Sequence, residues 1–545
     1  MMSKLIHNYK FWLLLISSFM LFPHLSIIEV NIMEARNFIT AREMVSNNNW
    51  ILTTINDLPR YEKPPLPTWL TAVAGMFFGF ENIFGLRLPV LFITLLLVFS
   101  TYKLSEKLGL RQQQNFHNGL ILITSFYIYF AGRDNQWDMY THSFMMVCIV
   151  FLWKFLNHKK HTFLYATLAG LFFGFSFLSK GPISVYALLL PFLIAYGLTY
   201  KFDLNGKKIY IFLIVFIGLG IGLSWPLYVR FIDPETVARV TKLESSRWGS
   251  YNIRPFYYYW SFFTQSGIWT IPSLIALFYP YLKSRVSNLK AYQFTLIWTL
   301  ASLILLSIIP EKKSRYLLPI LIPMALNTGF YIEYLIRSFK NISLKKEKAA
   351  IYFAFGLIVI ICFAIPIVLF IKIKNNITGF EFWLLGLTLS LFTLGYILFQ
   401  NLKNKDFLKV FYAVVSVQVA VILFGVPLSK AILVNPDYHC AKELKKFEKE
   451  LGIKTYEMSS FTPEIVWDYG HSIPVVLNEK TNILNLPLEN KFGILASKRD
   501  SILSKKKLEN YNLKKITTVD LNRVPKESKK HNDRLFRIYY LATKK

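Results

Sequence analysis

Residues 350–371 read AIYFAFGLIVIICFAIPIVLFI, twenty-two consecutive positions without one charged side chain. As a helix this run would be roughly 33 Å long, enough to cross the hydrocarbon core of a bilayer. Similar runs recur on both sides of it, from Phe11 to Leu428. They predict about thirteen spans, at residues 11–30, 84–104, 116–133, 138–157, 162–179, 182–200, 209–232, 257–282, 291–309, 315–337, 350–373, 379–400 and 408–428. Pro65 to Phe80 is apolar but short, and is expected either as a fourteenth span or as a helix packed at the interface. The first run lacks a small-residue cleavage site and ends at Glu29, so it is expected to be a retained helix rather than a signal peptide.

The composition of the whole chain agrees. Of 545 residues, 54% are hydrophobic and only 17% are charged, where a soluble domain would carry nearer a quarter charged. The formal charge of +30 raises the question of nucleic acid. However, the Lys and Arg residues sit mostly in short loops between apolar runs, where they orient helices and meet anionic headgroups. No nucleic-acid-binding motif accompanies them, so the sequence predicts a lipid bilayer and no nucleic acid as partner. Cys148 and Cys362 fall in apolar spans and Cys440 stands alone in the polar tail. That pattern supplies neither a disulfide framework nor a metal spacing. His24, His142 and His439 are scattered and are expected to be structural.

The cations also predict orientation. With the N-terminus in the cytoplasm, the inside loops hold Lys4 and Lys10, Lys107 and Arg111, Lys159 and Lys160, and Lys201, Lys207 and Lys208. They continue with Lys283, Arg285 and Lys290, then Arg337, Lys340, Lys345, Lys346 and Lys348, and finally Lys403 and Lys405. Every predicted inside loop is basic, as the positive-inside tendency requires. An odd number of spans then puts residues 429–545 outside. Residues 1–428 are therefore expected to form the membrane domain, with long outer loops at 31–83 and 233–256. Residues 429–545 are expected to form a small soluble α/β domain, because a Lys/Glu-rich helix there leads into short β-type runs such as Ile473–Leu477 and Phe492–Ala496. In the first outer loop, Glu34 to Val45 has helical periodicity and predicts an amphipathic helix on the outer surface.

Against this background a second set of charges stands out, all on the predicted outer side. They are Glu34 and Arg36, Glu62 and Lys63, Arg133, Asp134 and Asp138, Lys180, Arg254, and Lys312, Lys313 and Arg315. Outer loops should be poor in Lys and Arg, and ionisable groups at the ends of spans usually mark a site or a polar pathway. Cations beside two or three carboxylates suit a phosphate-bearing lipid and a reacting hydroxyl: Arg and Lys hold phosphate oxygens, and a carboxylate accepts a proton. Prolines mark the same places, in Glu62-Lys63-Pro64-Pro65, Lys180-Gly181-Pro182 and Lys312 to Pro319. A proline in a first helical turn is explained by structure alone; a cation beside each one is not.

These residues resemble a known family. Met33-Glu34-Ala35-Arg36-Asn37-Phe38 followed by Ala41-Arg42-Glu43-Met44 is similar to the Asp-Glu-x-Arg-Tyr…x-Arg-Glu-Met opening of bacterial aminoarabinose-transferase-like (ArnT-like) membrane glycosyltransferases, which are related to protein O-mannosyltransferases. Tyr61-Glu62-Lys63-Pro64-Pro65, Gly132-Arg133 through Asp138-Met139, and Phe177-Leu178-Ser179-Lys180-Gly181-Pro182 resemble further motifs of that family. So do Arg254-Pro255-Phe256-Tyr257-Tyr258 and Arg315-Tyr316-Leu317-Leu318-Pro319. The resemblance covers roughly residues 10–330, and beyond them only the architecture. It implies a mostly α, polytopic membrane protein of GT-C type with a small C-terminal α/β periplasmic domain. It also implies an undecaprenyl-phosphate-linked sugar donor, a lipid or glycan acceptor, inversion at the anomeric carbon, and residence in the bacterial inner membrane.

Carried over by position, Arg36, Lys63, Arg254 and Arg315 would hold donor phosphate or acceptor groups. Glu34, Glu62 and Asp138 would line the cavity, with Arg133, Lys180 and Tyr316 as further substrate-binding members. Glu34 and Asp138 are the candidates to orient or deprotonate the acceptor. Where the family begins its first motif with Asp, this chain has Met33. A phosphate acceptor, ionised near neutrality, needs no base, whereas a sugar hydroxyl does, so the acceptor class stays open. No cofactor is required by this chemistry, although carboxylates beside a phosphate are compatible with a divalent metal ion. Two alternatives are a transporter or flippase for a lipid-linked sugar and a protein O-glycosyltransferase. The first would need a polar site near the midplane and usually inverted repeats, and the span interiors here carry few charges.

Overall fold

The structure is a computed structural model and describes residues 8–248, 250–478 and 483–545. Lys4, among the predicted cytoplasmic cations, lies outside them. The chain divides into two compact units. One comprises Met1–Ile27, Tyr61–Leu70 and Arg87–Leu428; the other joins Ile28–Arg60 and Thr71–Leu86 to Ser429–Lys545.

Among the described residues, nine helices are long and apolar enough to cross a membrane: Ile83–Lys107, Trp137–Asn157, Thr162–Lys180, Lys208–Ile232, Leu289–Ile308, Ser314–Asn341, Lys345–Asn376, Glu381–Lys403 and Phe407–Ile432. Each answers a predicted span. The other four predicted spans take different forms. Residues 11–30 become a helix of 13 residues, Tyr9–Leu21, that ends just before Pro23. The 116–133 run is two helices, Gln112–Ile123 and Phe126–Ala131. At the break, Thr124 and Ser125 donate their hydroxyls to the carbonyls of Leu120 and Ile121, and the Ser125 N–H bonds Leu122 in place of Ile121, so the ladder gives out there. The 182–200 run opens as a π-turn, Val185–Leu189, before the helix Leu190–Thr199.

The largest departure is 257–282. It is not one helix but two 3₁₀ segments, Phe256–Tyr259 and Phe262–Trp269, followed by the short helices Thr270–Ala276 and Tyr279–Leu282. Gly267 kinks the middle with φ of 65°, and Pro272 and Pro280 each remove a backbone donor. The short apolar stretch near Pro65 is a helix of 13 residues, Leu66–Phe78.

Small residues set the closest helix packing in the membrane unit. Gly170 and Gly174 on Thr162–Lys180 meet Lys208–Ile232, where Gly218 and Gly222 stand at the same four-residue spacing. A Cβ on Gly218 would come within 1.9 Å of Phe173, and one on Gly174 within 2.6 Å of Ile221. In a bilayer, where no hydrophobic drive separates helix from lipid, such close backbone approach is what holds helices together. Trp137–Asn157 and Ser314–Asn341 are almost entirely enclosed by the other helices, and both begin with residues of the predicted site.

The second unit is built on a four-stranded sheet. Its short hairpin strands are β1 (Thr54–Ile55) and β2 (Leu58–Pro59), and the tail supplies β3 (Thr455–Glu457), β4 (Leu477–Asn478), β5 (Ile483–Leu484), β6 (Lys491–Ala496), β7 (Tyr511–Asp520) and β8 (Phe536–Lys544). The sheet order is β3-β6-β8-β7, parallel only between β3 and β6. Alternation along the strands divides its apolar residues. Leu495, Val519 and Tyr539 join one core with Ile39, Ile465 and Val466; Phe492, Ile494, Tyr540 and Ala542 join another with Met458 and Val476. The predicted helix in the first outer loop exists, as Ile32–Ser46. Its apolar side is not spread on lipid but packs on Pro463–Tyr469, with Phe38 against Trp467 at 5.0 Å between ring centroids. Asn31 starts this helix by accepting from the Met33 and Glu34 N–H groups.

Within this unit Glu43 ties the helix to the hairpin. Its carboxylate accepts from Thr54 Oγ1 at 2.6 Å and from the N–H groups of Asn56 at 2.7 Å and Asp57 at 3.3 Å. Asn56 and Asp57 are the two turn residues, with φ of 53° and 59°, the left-handed pair that a tight hairpin needs. Burial nevertheless pushes the Glu43 carboxyl above its ordinary range, with those hydrogen bonds opposing. Deeper in the tail, Arg537 donates to Glu457 Oε1 at 2.5 Å and to Thr462 Oγ1 at 2.8 Å.

Candidate functional site

Asp138 stands in the first turn of Trp137–Asn157 and Lys180 is the last residue of Thr162–Lys180. An anion at a helix N-terminus and a cation at a C-terminus each meet the favourable end of the helix dipole. The two helices are consecutive and antiparallel, so these ends lie together. Gly181 ends the second helix with φ of 75°, a conformation that glycine alone adopts freely, and Pro182 follows. Lys180 Nζ donates to Asp138 Oδ1, and the paired side chains are only 9% and 4% exposed. One turn below, Thr141 donates to the Ser176 carbonyl at 2.8 Å, while Ser176 returns a bond to the Thr141 carbonyl at 2.6 Å. These bonds fix the helix ends at the depth of the pair.

A third element closes on them. The 3₁₀ turn Ser314–Leu317 leads into Leu318–Ser338, whose first residues include Pro319. Lys180 Nζ lies 5.5 Å from the Tyr316 ring centroid, a cation–π distance. The Tyr316 hydroxyl donates to Glu311 Oε1 at 3.4 Å. Lys313 pairs with the same Glu311 carboxylate and lies 4.8 Å from the Tyr251 ring centroid. Arg315 lies within electrostatic reach of both Asp138 and Lys180, and among the described residues its buried Nε has no hydrogen-bond partner.

Two loops hold this arrangement. Ile253 and Glu311 form an antiparallel bridge, the Arg254 N–H donates to the Pro310 carbonyl at 3.2 Å, and Lys312 Nζ donates to the carbonyls of Arg254 at 3.1 Å and Ile309 at 2.5 Å. Tyr259 pins the chain from beneath, its hydroxyl accepting from the Lys313 N–H at 2.8 Å and donating to the Lys313 carbonyl at 3.0 Å. The Arg254 side chain is exposed, with its guanidinium 5.8 Å from the Tyr258 ring.

Asp138, Lys180, Arg315 and Tyr316 are thus drawn together, and Arg254 joins them through its backbone. Arg133 is engaged elsewhere. Its guanidinium donates to the carbonyls of Met20 at 3.2 Å, Leu21 at 3.1 Å and Pro23 at 2.6 Å, which caps the end of Tyr9–Leu21. Glu62 is exposed and Lys63 half-buried, just after Tyr61 and before Leu66–Phe78. Tyr61 packs edge-on against Trp225, with centroids 6.3 Å apart. Glu34 and Arg36 belong to the second unit, where Glu34 is fully buried in the first turn of Ile32–Ser46 and the Arg36 carbonyl accepts from Arg60 at 3.3 Å. Among the described residues no group of three His, Cys, Asp or Glu side chains gathers as a metal-ligand set.

The residue that sequence reasoning missed is Glu311. The signal lies in the run Pro310-Glu311-Lys312-Lys313, where a lone carboxylate stands among cations. Lys312, predicted as one of the outer cations, instead braces backbone carbonyls.

A family model described as dolichyl-phosphate-mannose-protein mannosyltransferase matches residues 62–225, the stretch that holds Glu62, Lys63, Arg133, Asp138 and Lys180. The chain is 25% identical over 333 residues to the undecaprenyl phosphate-alpha-4-amino-4-deoxy-L-arabinose arabinosyl transferase 2 of Proteus mirabilis (strain HI4320), covering 57% of each protein. It is 24% identical over 359 residues to the corresponding transferase of Photorhabdus laumondii, covering 62% of this chain and 61% of that one. The match therefore spans about three fifths of the length of these curated relatives. Its fold is that of ArnT from Cupriavidus metallidurans, with a TM-score of 0.68 to the form bound to undecaprenyl phosphate and 0.67 to the apo form, each at 14% identity over 99% of this chain and 98% of that one. The chain thus shares the fold of ArnT over nearly its whole length, and along about three fifths of it is similar in sequence to the aminoarabinose-transferase-like integral membrane glycosyltransferases.

Proposed function

We propose that this protein moves a sugar from a polyprenyl-phosphate carrier to an envelope lipid or glycan on the outer face of the bacterial inner membrane. The observation that carries this reading is the buried Asp138–Lys180 pair, flanked by Tyr316 and Arg315 where three helices end on one side. Burying an ion pair costs on the order of several kcal/mol of desolvation per ion, and a chain that needed only stability would do as well with apolar residues there. The resemblance to relatives named for undecaprenyl-phosphate-linked aminoarabinose supports the donor class. In this scheme the N-terminus is cytoplasmic and the C-terminal domain periplasmic.

The acceptor oxygen attacks the anomeric carbon from the face opposite the carrier. A carbon–oxygen bond to the acceptor forms as the carbon–oxygen bond to the phosphate breaks, and polyprenyl phosphate departs with the electron pair. Its developing charge is met by cations of the membrane unit, Arg254 and Arg315 and, by resemblance, Lys63, so no general acid is needed. If the acceptor is a hydroxyl, its proton passes to the Asp138 carboxylate; Lys180 holds Asp138 in place and Tyr316 shields the pair. No cofactor enters this scheme.

Mass spectrometry of envelope lipids and glycans in a deletion strain tests the proposal. Loss of one sugar-bearing species is expected, restored by the wild-type gene and not by Lys63→Ala or Asp138→Ala proteins that insert at normal levels. Restoration by both variants would refute the residue assignment. The family model's description favours a second acceptor class, protein; appearance of the missing sugar on protein would establish it.

A further inference from the structure

The cations around the candidate site are not equivalent. Lys180 is bound to Asp138 in a buried pair, and Lys312 is bound to two backbone carbonyls. Neither can turn to a ligand without leaving a buried group unpaired. Lys313 differs. Its side chain is 24% exposed, it lies between the rings of Tyr251 and Tyr316 at 4.8 and 5.7 Å, and its ammonium is paired only two residues away with the Glu311 carboxylate, itself 14% exposed. Glu311 in turn accepts from the Tyr316 hydroxyl.

A carboxylate and the phosphate of the carrier, a diester while it bears the sugar, each present a pair of oxygens sharing negative charge to an ammonium. We infer that Glu311 is a built-in stand-in for the carrier phosphate: it neutralises Lys313 in the empty protein, and the incoming phosphate takes Lys313 from it. This rests on the polyprenyl-phosphate reading above and adds to it a further phosphate ligand, Lys313, and a positioning residue, Glu311, that competes for it. The geometry supports the exchange. The backbone at 313 is fixed by the two hydrogen bonds to Tyr259, so the ammonium moves on a fixed stem. Glu311 keeps the Tyr316 hydroxyl as a partner after Lys313 leaves. The two aromatic rings give the ammonium a favourable surface throughout the movement.

The competition sets the sign of the test. A positioning strut and a competitor both touch Lys313, but only removal of a competitor strengthens binding. Farnesyl phosphate would be titrated onto the purified full-length protein, with farnesol as the phosphate-free control, in the wild type and in Glu311→Gln, Lys313→Ala and the double variant. Glu311→Gln is expected to tighten phosphate binding by about 3- to 10-fold, since a partly exposed carboxylate no longer holds the ammonium. Lys313→Ala is expected to weaken it by a similar factor, and the double variant should bind no tighter than Lys313→Ala alone. Weaker binding by Glu311→Gln, or unchanged binding by Lys313→Ala while Arg254→Ala and Arg315→Ala weaken it, overturns this inference and leaves the phosphate reading standing. Equal affinity in all four single variants, or for farnesol as for its phosphate, overturns both.

Discussion

The Asp138–Lys180 pair predicts a particular pattern of stabilities. In Asp138→Asn the Lys180 ammonium stays 9% exposed with its counter-ion gone, and in Lys180→Met the Asp138 carboxylate is left in the same position. Removing one member of a buried pair leaves an uncompensated charge and costs about 3–5 kcal/mol. Replacing both by neutral groups of similar volume leaves no such charge, so the double variant should lose far less than the two single losses added together. For residues in direct contact the coupling measured by such a cycle is typically about 0.5–3 kcal/mol, and burial of this pair puts the expectation at the upper end. The assay is denaturant unfolding of the purified protein in lipid nanodiscs, followed by intrinsic fluorescence, for the wild type, both single variants and the double. Additive losses, with coupling near zero, would show that the two charges do not meet, and the site as built here would be wrong.

Three other outcomes follow from the second unit and the broken span. Glu43→Ala removes the acceptor of three hydrogen bonds from the 54–57 hairpin; it should cost roughly 3 kcal/mol and raise amide exchange in residues 53–60 before other parts of that unit. Glu457 has one oxygen on Arg537, while among the described residues its buried Oε2 has no partner, and burial pushes its carboxyl up from 4.5 to about 7. The folded unit thus keeps a proton that the unfolded chain gives up earlier, so stability should fall as pH rises through that window, and Glu457→Gln should flatten the fall. Amide exchange in β3 and β6 across that pH range checks it. Gly267→Ala places a Cβ 2.8 Å from that of Phe126 at a φ of 65°; a loss of about 1–3 kcal/mol in unfolding free energy is expected.

Much of the membrane architecture could be read without coordinates, for a physical reason. An apolar run of about eighteen residues with at most two charges has one stable state in lipid, and each of the nine long helices contains such a run. The four predicted spans that differ contain the residues that disturb a helix from within. Thr124 and Ser125 compete for its carbonyls, and Gly267, Pro272 and Pro280 break its ladder. The same is true of the candidate site. Lys180 was conspicuous beside Gly181 and Pro182, and Asp138 was conspicuous at the head of a span. That the two meet depends on a helical hairpin closing 42 residues of chain, which spacing alone does not specify. Arg133 drew attention for the right reason, a charge near lipid, but its partners are carbonyls at the end of the Tyr9–Leu21 helix, more than one hundred residues away. For Glu34 to Val45 the helical period was legible. Its cover, the tail helix Pro463–Tyr469, was not, because a period shows which side is apolar and not what buries it.

The most direct test of the account is transfer in a defined system. The purified protein would be reconstituted with a radiolabelled sugar on polyprenyl phosphate and an extract of envelope lipids, and both the label and the free carrier followed. Label is expected to move to a new product while polyprenyl phosphate is released in equal amount, and Asp138→Asn is expected to abolish both. Label that crosses the bilayer still attached to its carrier, or carrier release that the Asp138 variant leaves intact, would contradict it.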